Sequence, residues 1–320
     1  MEDTNQTAEN GFILLGLSTI PYLQAIFFSL FLAVYVVTLV GNTLLIVAVR
    51  LNTQLQTPMY FFLCNLAFID ICFSTTVVPQ LLANTLFEDG RISLLGCAAQ
   101  MFISLVLGVT ECLLLAVMSF DRYAAICKPL HYNVIMSKRL CIALITGCWT
   151  FCVINSFIHV VLTFKLPFCR CNHINHFFCE MPPFFRISCT EIWFNEIAMY
   201  VSTVIIVICS FVTTLTSYIH IISTILKIRS SEGRHKVFST CASHLTVVSL
   251  YYTSIMSMYL RPHSAHSPET SKDISLLYTT VTPMLNPIVY SIRNKPVKGT
   301  IERMFTRQRC GCTNSRVFVS

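Results

Sequence analysis

Seven stretches of this 320-residue sequence are long, apolar and almost free of charged side chains. They comprise residues 22–49, 57–87, 92–120, 140–164, 197–226, 237–260 and 274–292. A helix needs about 20 apolar residues to cross the roughly 30 Å hydrocarbon core of a bilayer, and every stretch is close to or above that length. Uninterrupted apolar runs satisfy their backbone hydrogen bonds in lipid only as helices. The sequence therefore predicts an all-α membrane protein, a bundle of seven transmembrane helices.

The composition excludes an ordinary soluble protein. Hydrophobic residues make up 54% of the chain, charged residues make up 12%, and the mean hydropathy is +0.66. Soluble domains carry roughly 25% charged residues. No internal repeat or linker divides the chain, so we expect a single domain over residues 1–320, with an N-terminal segment at 1–21 and a tail at 293–320.

The basic residues indicate the orientation of the bundle. Sixteen of the 22 Lys and Arg residues lie in the tail and in the connections after the first, third and fifth spans. The positive-inside rule makes this face cytoplasmic and places the N-terminus outside the plasma membrane. The net charge of +7 follows from this topology and gives no reason to expect nucleic acid as a partner. Asn5 begins an Asn-Gln-Thr glycosylation sequon on the outer side.

Five cysteines are expected on the oxidising, outer side: Cys97, Cys169, Cys171, Cys179 and Cys189. Their number favours two disulfides and one spare thiol, but spacing alone leaves the pairing open. A bridge from Cys97 to the long loop at 165–196 would fold that loop over the bundle mouth as a lid. The thiols and imidazoles at 169–179 also have spacings that a transition metal can use. Bridging is the commoner role in such a loop, so we predict no metal site and no cofactor.

The tail is expected to lie on the membrane. Its basic run at 293–309 predicts a short cytoplasmic amphipathic helix against anionic membrane lipid. Cys310 and Cys312 follow this run and are either palmitoylation sites or reduced thiols.

Two carboxylates are predicted inside the membrane. Asp70 lies near the middle of the second span and Glu111 near the middle of the third. An ionisable residue at this depth costs at least ~2.5 to 3.5 kcal/mol, so both are candidates for functional residues that face the bundle interior. The alternative is a structural role, in which a protonated acid donates a hydrogen bond to a neighbouring helix.

Two further motifs lie at the inner ends of helices. Asp121-Arg122-Tyr123 ends the third span, and an ion pair between its acid and base can hold one state of a two-state switch. Asn286-Pro287 lies in the seventh span, where the proline removes a backbone donor and frees a carbonyl for Asn286 or water. We expect a hinge or a passive kink there.

Together these motifs resemble the rhodopsin-like G-protein-coupled receptors, and the match runs along essentially the whole chain. More narrowly, the sequence is similar to the tetrapod odorant receptors. The carrying motifs lie at residues 58–63, 118–132, 236–244 and 283–290, and the sixth span has Leu250-Tyr251-Tyr252 in place of the Cys-Trp-x-Pro signature of other rhodopsin-like receptors. Departures from the family pattern occur at Gln56, at Ser119-Phe120 and at 169–171.

The resemblance implies an odorant pocket between the third, fifth, sixth and seventh helices, beneath the lid loop. The implied lining is an aliphatic wall with a few hydroxyls: Ser104, Leu105, Gly108, Val109, Ser202, Ile206, Tyr252, Ile255, Tyr259 and Thr279. None of these residues is charged, so we expect uncharged ligands with one hydrogen-bonding group. The resemblance also implies the disulfides Cys97–Cys179 and Cys169–Cys189.

The implied partner on the cytoplasmic side is a heterotrimeric stimulatory G protein of the olfactory type, which raises cyclic AMP. On activation Arg122 would leave Asp121, and Tyr218 and Tyr290 would restrain it. Asn286 and Pro287 belong to the same switch, with Asp70 and Glu111 in the polar network above it.

Three alternatives differ in class. A rhodopsin-like receptor for a non-odorant ligand shares every motif above. An ion channel or transporter also places carboxylates in the membrane, but it needs a polar lining or broken-helix symmetry that the sequence lacks. An enzyme is not expected, because none of the common catalytic motifs is present.

Overall fold

The protein forms a bundle of seven long helices. The computed structural model describes residues 11–17, 21–87, 90–168, 172–228, 230–259, 268–293 and 295–313. The helices are α1 (Pro21–Leu51), α2 (Pro58–Phe87), α3 (Leu94–Cys127), α4 (Lys138–Phe164), α5 (Trp193–Leu226), α6 (Ser231–Tyr259) and α7. The last consists of Pro268–Leu276, a π-helical turn at Leu277–Val281, and Thr282–Arg293. A further helix, α8, spans Lys295–Thr313. The predicted seven-helix bundle is confirmed.

Polar residues at the helix starts explain several boundaries. The Ser93 hydroxyl accepts a hydrogen bond from the Gly96 amide at the start of α3 (3.0 Å), and the Ser137 hydroxyl accepts one from the Leu140 amide at the start of α4 (3.4 Å). Pro58 opens α2, where its missing amide hydrogen has no intrahelical role.

The outer surface of the bundle is apolar. Large side chains such as Val36, Phe157 and Ile205 are at least half exposed. Among the described residues, five helices (α1 to α5) are long and apolar enough to cross a membrane. The chain is a multi-pass membrane protein, because apolar faces of this extent are stable only against lipid.

A lid built from three chain segments covers one end of the bundle. Strand β1 (Phe12–Leu14) lies between β2 (Arg91–Ile92), to which it is antiparallel, and β3 (His173–Ile174), to which it is parallel. The Gly90 carbonyl accepts a hydrogen bond from the Leu14 amide at 2.8 Å. A Cβ atom at Gly90 would collide with the Leu14 carbonyl, so this crossing requires glycine. The N-terminal segment is therefore part of the lid.

Candidate ligand cavity and switch region

A narrow cavity of about 90 Å³ lies beneath the lid, between α3, α4, α5, α6 and α7. Sites for drug-sized molecules have volumes of roughly 300–1,000 Å³. This cavity fits only a small molecule, unless its walls move.

The cavity wall includes most of the residues that the resemblance implies. Seven of the ten line it: Ser104, Leu105, Gly108, Val109, Ser202, Ile206 and Ile255. The Ser104 hydroxyl is buried without a hydrogen-bond partner, so it has a free polar atom at the wall. Tyr259 lies at the end of α6, but its side chain lies outside the described part of the chain.

At two positions the residue that lines the cavity is the chain neighbour of the expected one. Tyr251 lines the cavity instead of Tyr252, whose ring packs against Phe211 of α5 at a centroid distance of 5.5 Å. Tyr278 lines it instead of Thr279, whose hydroxyl donates to the Ser275 carbonyl of its own helix. Successive helical residues point about 100° apart, so an error of one position turns a side chain away from the cavity.

The α4 helix adds a polar wall that the sequence analysis missed. Asn155 and His159 line the cavity, and His159 Nε2 lies 2.8 Å from the Ser202 hydroxyl of α5. The available signal was weak. A histidine in an uncharged span is equally typical of a hydrogen bond between helices.

The expectation of a wall without acidic residues is wrong. Glu111 forms part of the floor and Glu180 part of the lid. Glu111 is 2% exposed, and its Oε1 atom has no hydrogen-bond partner. Both residues were overlooked because the lining was carried over position by position. Since Lys and Arg are absent from this lining, the cavity disfavours anions.

The lid is fastened to α3 and to α7. A disulfide joins Cys97 to Cys179 (Cα–Cα 5.5 Å), as the resemblance implies. The Gln100 side chain accepts a hydrogen bond from the Cys179 amide at 2.9 Å. On the α7 side, Glu180 accepts hydrogen bonds from the hydroxyls of Tyr278 (2.6 Å) and Ser275 (3.2 Å). The lid therefore ties α3 to α7 directly above the cavity.

A buried histidine supports this fastening. His176 is 1% exposed, and its ring stacks on Phe177 at a centroid distance of 4.7 Å. Burial, with smaller contributions from the charges of Lys272 and Arg186, lowers the pKa of His176 to about 3. The ring is neutral at pH 7, so its 3.7 Å approach to Glu180 is not an ion pair.

Several predicted modification sites lie outside the described residues. These are Asn5, Cys169 and Cys171, together with the side chains of Cys310 and Cys312. Cys189 is disulfide-bonded, but its partner is not described. In the described part of the chain no cluster of His, Cys, Asp or Glu is placed to hold a metal ion, and the disulfide occupies the Cys179 sulfur.

A polar network lies below the cavity. The Asn286 amide donates to both carboxylate oxygens of Asp70, at 3.1 and 3.0 Å, and Glu111 lies beside them. The carbonyl freed by Pro287 belongs to Pro283. The side-chain amide of Asn42 in α1 donates a hydrogen bond to this carbonyl at 3.1 Å. The expected partner, Asn286 or water, is therefore replaced by Asn42. The α7 kink is thus bound to α1.

At the far end of α3, the expected ion pair between Asp121 and Arg122 is absent within the described residues. Asp121 is 1% exposed and accepts a hydrogen bond from the Tyr132 hydroxyl at 2.8 Å. Burial and this carboxylate raise the pKa of Tyr132, so its hydroxyl stays protonated and remains a donor. The buried Arg122 Nε has no partner.

Helices α5 and α6 are held together at this end. The Tyr218 hydroxyl and His244 Nδ1 lie 2.7 Å apart, and both residues are buried. Tyr218 is therefore engaged with His244 and not with Arg122. The Tyr290 hydroxyl is also buried, and it has no hydrogen-bond partner. Tyr123 packs against His220 of α5 at a centroid distance of 5.6 Å.

A seven-helix membrane bundle with a lidded cavity at one end and a buried acid-base motif at the other defines a G-protein-coupled receptor. A family model described as "Olfactory receptor" matches residues 31–308. The chain is similar to Olfactory receptor 2C3 of Homo sapiens, with 47% identity over 97% of each chain. It is also similar to Olfactory receptor 5G9 of Mus musculus, with 45% identity over 97% of this chain and 98% of the relative. The chain belongs to the olfactory receptor family. It is an odorant receptor and not an enzyme.

Proposed function

We propose that this receptor binds a small, uncharged odorant with one hydrogen-bonding oxygen in the lidded cavity, activates a stimulatory G protein of the olfactory type and raises cyclic AMP. The single domain lies in the plasma membrane, with its N-terminus outside and its tail in the cytoplasm. The carrying observation is the cavity wall, which is largely apolar but has the His159–Ser202 pair on one side. A ligand oxygen can exchange hydrogen bonds with that pair while its carbon skeleton packs on Leu105 and Ile206.

The signal passes from the cavity through α6. Tyr251 lines the cavity and donates a hydrogen bond to the Gly108 carbonyl of α3 at 2.5 Å. A ligand that displaces Tyr251 weakens the contact between α3 and α6, and the opposite end of α6 then separates from α5 at His244. Binding favours the active state only if the ligand has higher affinity for that arrangement.

The test is a cyclic AMP assay in cells that express the full chain, with surface delivery measured for every variant. The odorant panel pairs alcohols and aldehydes with carboxylic acids of the same skeleton. We expect responses to neutral compounds and at least tenfold weaker responses to the acids, because no Lys or Arg lines the cavity to neutralise an ionised ligand and Glu180 repels it.

Arg122→Ala is the coupling variant, and Lys165→Ala is its control, because it removes one exposed cation next to the outer end of α4. Loss of the response in Arg122→Ala alone supports coupling to a G protein. Silence from a well-delivered wild type contradicts the odorant proposal and favours a non-odorant ligand. New ion currents would favour a channel.

A further inference from the structure

A second, larger cleft of about 930 Å³ opens on the outside of the bundle, at the end that contains Asp121-Arg122-Tyr123. Its walls come from α1, α2, α4 and the short segments before α2 and α4. It is separate from the odorant cavity, which lies beneath the lid. The cleft faces the lipid.

The mouth of the cleft is cationic. Arg50 lies in the last turn of α1 and Lys138 is the first residue of α4, and both are exposed. No acidic residue lines the cleft, and within the described chain neither cation forms a salt bridge. The N-terminus of α4, where the helix dipole is positive, opens at the same point. An anionic group at the mouth is therefore favoured by three positive features from two helices.

The inner part of the cleft is apolar. Phe61 and Phe68 are 39% and 51% exposed, and Ile142 on the opposite wall is 49% exposed. At 1.5 Å per residue, Phe68 lies about 15 Å along α2 from Pro58, which is about half the thickness of the hydrocarbon core. The cleft is thus cationic at the membrane surface and apolar down to the bilayer centre.

We propose that this cleft binds an anionic phospholipid of the cytoplasmic leaflet. The headgroup phosphate lies between Arg50 and Lys138, and one acyl chain lies along Phe61 and Phe68. The assignment to the cytoplasmic leaflet rests on the orientation given under the proposed function, since that leaflet carries the anionic lipids. Asn133 and Met136 also line the cleft and belong to the same segment as Tyr132, so the lipid would stabilise the segment that binds Asp121.

The test uses the purified full-length receptor in nanodiscs of phosphatidylcholine and phosphatidylserine, with native mass spectrometry to count the retained lipids. We expect wild type to retain phosphatidylserine at least fivefold over phosphatidylcholine. Arg50→Gln/Lys138→Gln should abolish this preference. The matched control Lys128→Gln/Arg139→Gln removes the same charge from exposed positions outside the cleft and should keep it.

A third variant distinguishes binding of a whole lipid from binding of its headgroup alone. Ile142→Trp fills the apolar part of the cleft without a change of charge and should also expel the lipid. Equal loss of phosphatidylserine in the Lys128→Gln/Arg139→Gln control would show general attraction of anionic lipid to the basic surface. Full retention of phosphatidylserine in Ile142→Trp, together with its displacement by glycerophosphoserine, would show a site for the headgroup only. Either result overturns the proposal. The assay needs neither odorant nor G protein, so its result stands if the proposed ligand or coupling fails, and only the leaflet assignment depends on the proposed orientation.

Discussion

The hydroxyl of Ser202, paired with His159 across α4 and α5, is the side-chain group that we propose contacts the ligand oxygen. Ser202→Ala removes that hydroxyl and leaves the His159 ring at the wall without it. A hydrogen bond of this kind contributes about 1 kcal/mol, so we expect the half-maximal odorant concentration to rise about fivefold with basal cyclic AMP unchanged. Thr213→Ala is the control. Its hydroxyl is exposed on the same helix and bonds only the Cys209 carbonyl. An equal shift in both variants would contradict the assignment.

Individual side chains are also where sequence reasoning reached its limit. On α3 the resemblance gave four lining residues correctly, because a regular helix keeps its buried face over many turns, but it missed Glu111 on the same helix. On α6 and α7 the predicted lining was one residue out, at Tyr252 and Thr279. The π-helical turn at Leu277–Val281 changes the rotation of α7, and no residue pattern in that segment announces it. The His159–Ser202 pair joins residues 43 positions apart, so only the fold brings them together.

At the scale of elements, the contact between α5 and α6 is held at the switch end by the Tyr218–His244 bond. Tyr218→Phe removes the hydroxyl and keeps the ring. If α6 separates from α5 on activation, loss of about 1 kcal/mol from the closed arrangement raises the active population about fivefold. We expect basal cyclic AMP per surface receptor to rise severalfold. Tyr22→Phe makes the same change at an exposed site on α1 and should have no effect. Unchanged basal activity in Tyr218→Phe would show that this bond does not restrain α6.

The lid and α7 form the second pair of elements whose contact can be tested. Tyr278→Phe removes the 2.6 Å hydrogen bond to Glu180 and leaves the cavity wall aromatic. A looser lid retains its ligand for less time, so we expect the response to decay severalfold faster after odorant washout. Tyr35→Phe is the control, because its hydroxyl joins α1 to α2 at an exposed position. Equal decay in wild type and Tyr278→Phe would show that the lid does not limit ligand release.

At the scale of the whole molecule, the number of helices was predictable because the bilayer fixes the length and the apolarity of each crossing. The lid was only partly predictable. The resemblance implied the Cys97–Cys179 disulfide that holds the long loop over the bundle, but nothing in residues 12–14 indicates a strand paired with β2 and β3. Its pairing depends on loops that are distant in the chain, and three residues are too few for a periodic pattern.

The stability of the whole receptor should depend on pH through His176. Its pKa is about 3 in the folded protein and about 6.5 in the unfolded chain, so between these values the unfolded chain binds one more proton. The contribution of His176 to the free energy of unfolding is therefore fully present above about pH 6.5. It is lost as the pH falls, by about 2 kcal/mol between pH 7 and pH 5. Glu180, Lys272 and Arg186 are the charged groups near this ring. The two oxygens of Glu180 already accept hydrogen bonds from α7, so this carboxylate is a poor partner for a protonated imidazole.

The measurement is thermal unfolding of the purified receptor at pH 7.5 and at pH 5. We expect the melting temperature of wild type to fall by several degrees at pH 5 and that of His176→Gln to fall by clearly less. His173→Gln is the matched control, since His173 is exposed in the adjacent strand β3 and should keep the wild-type dependence. Equal falls in wild type and His176→Gln would mean that the acid sensitivity arises elsewhere. A dependence that disappears only in His176→Gln would show that one buried ring in the lid limits the stability of the entire seven-helix receptor at low pH.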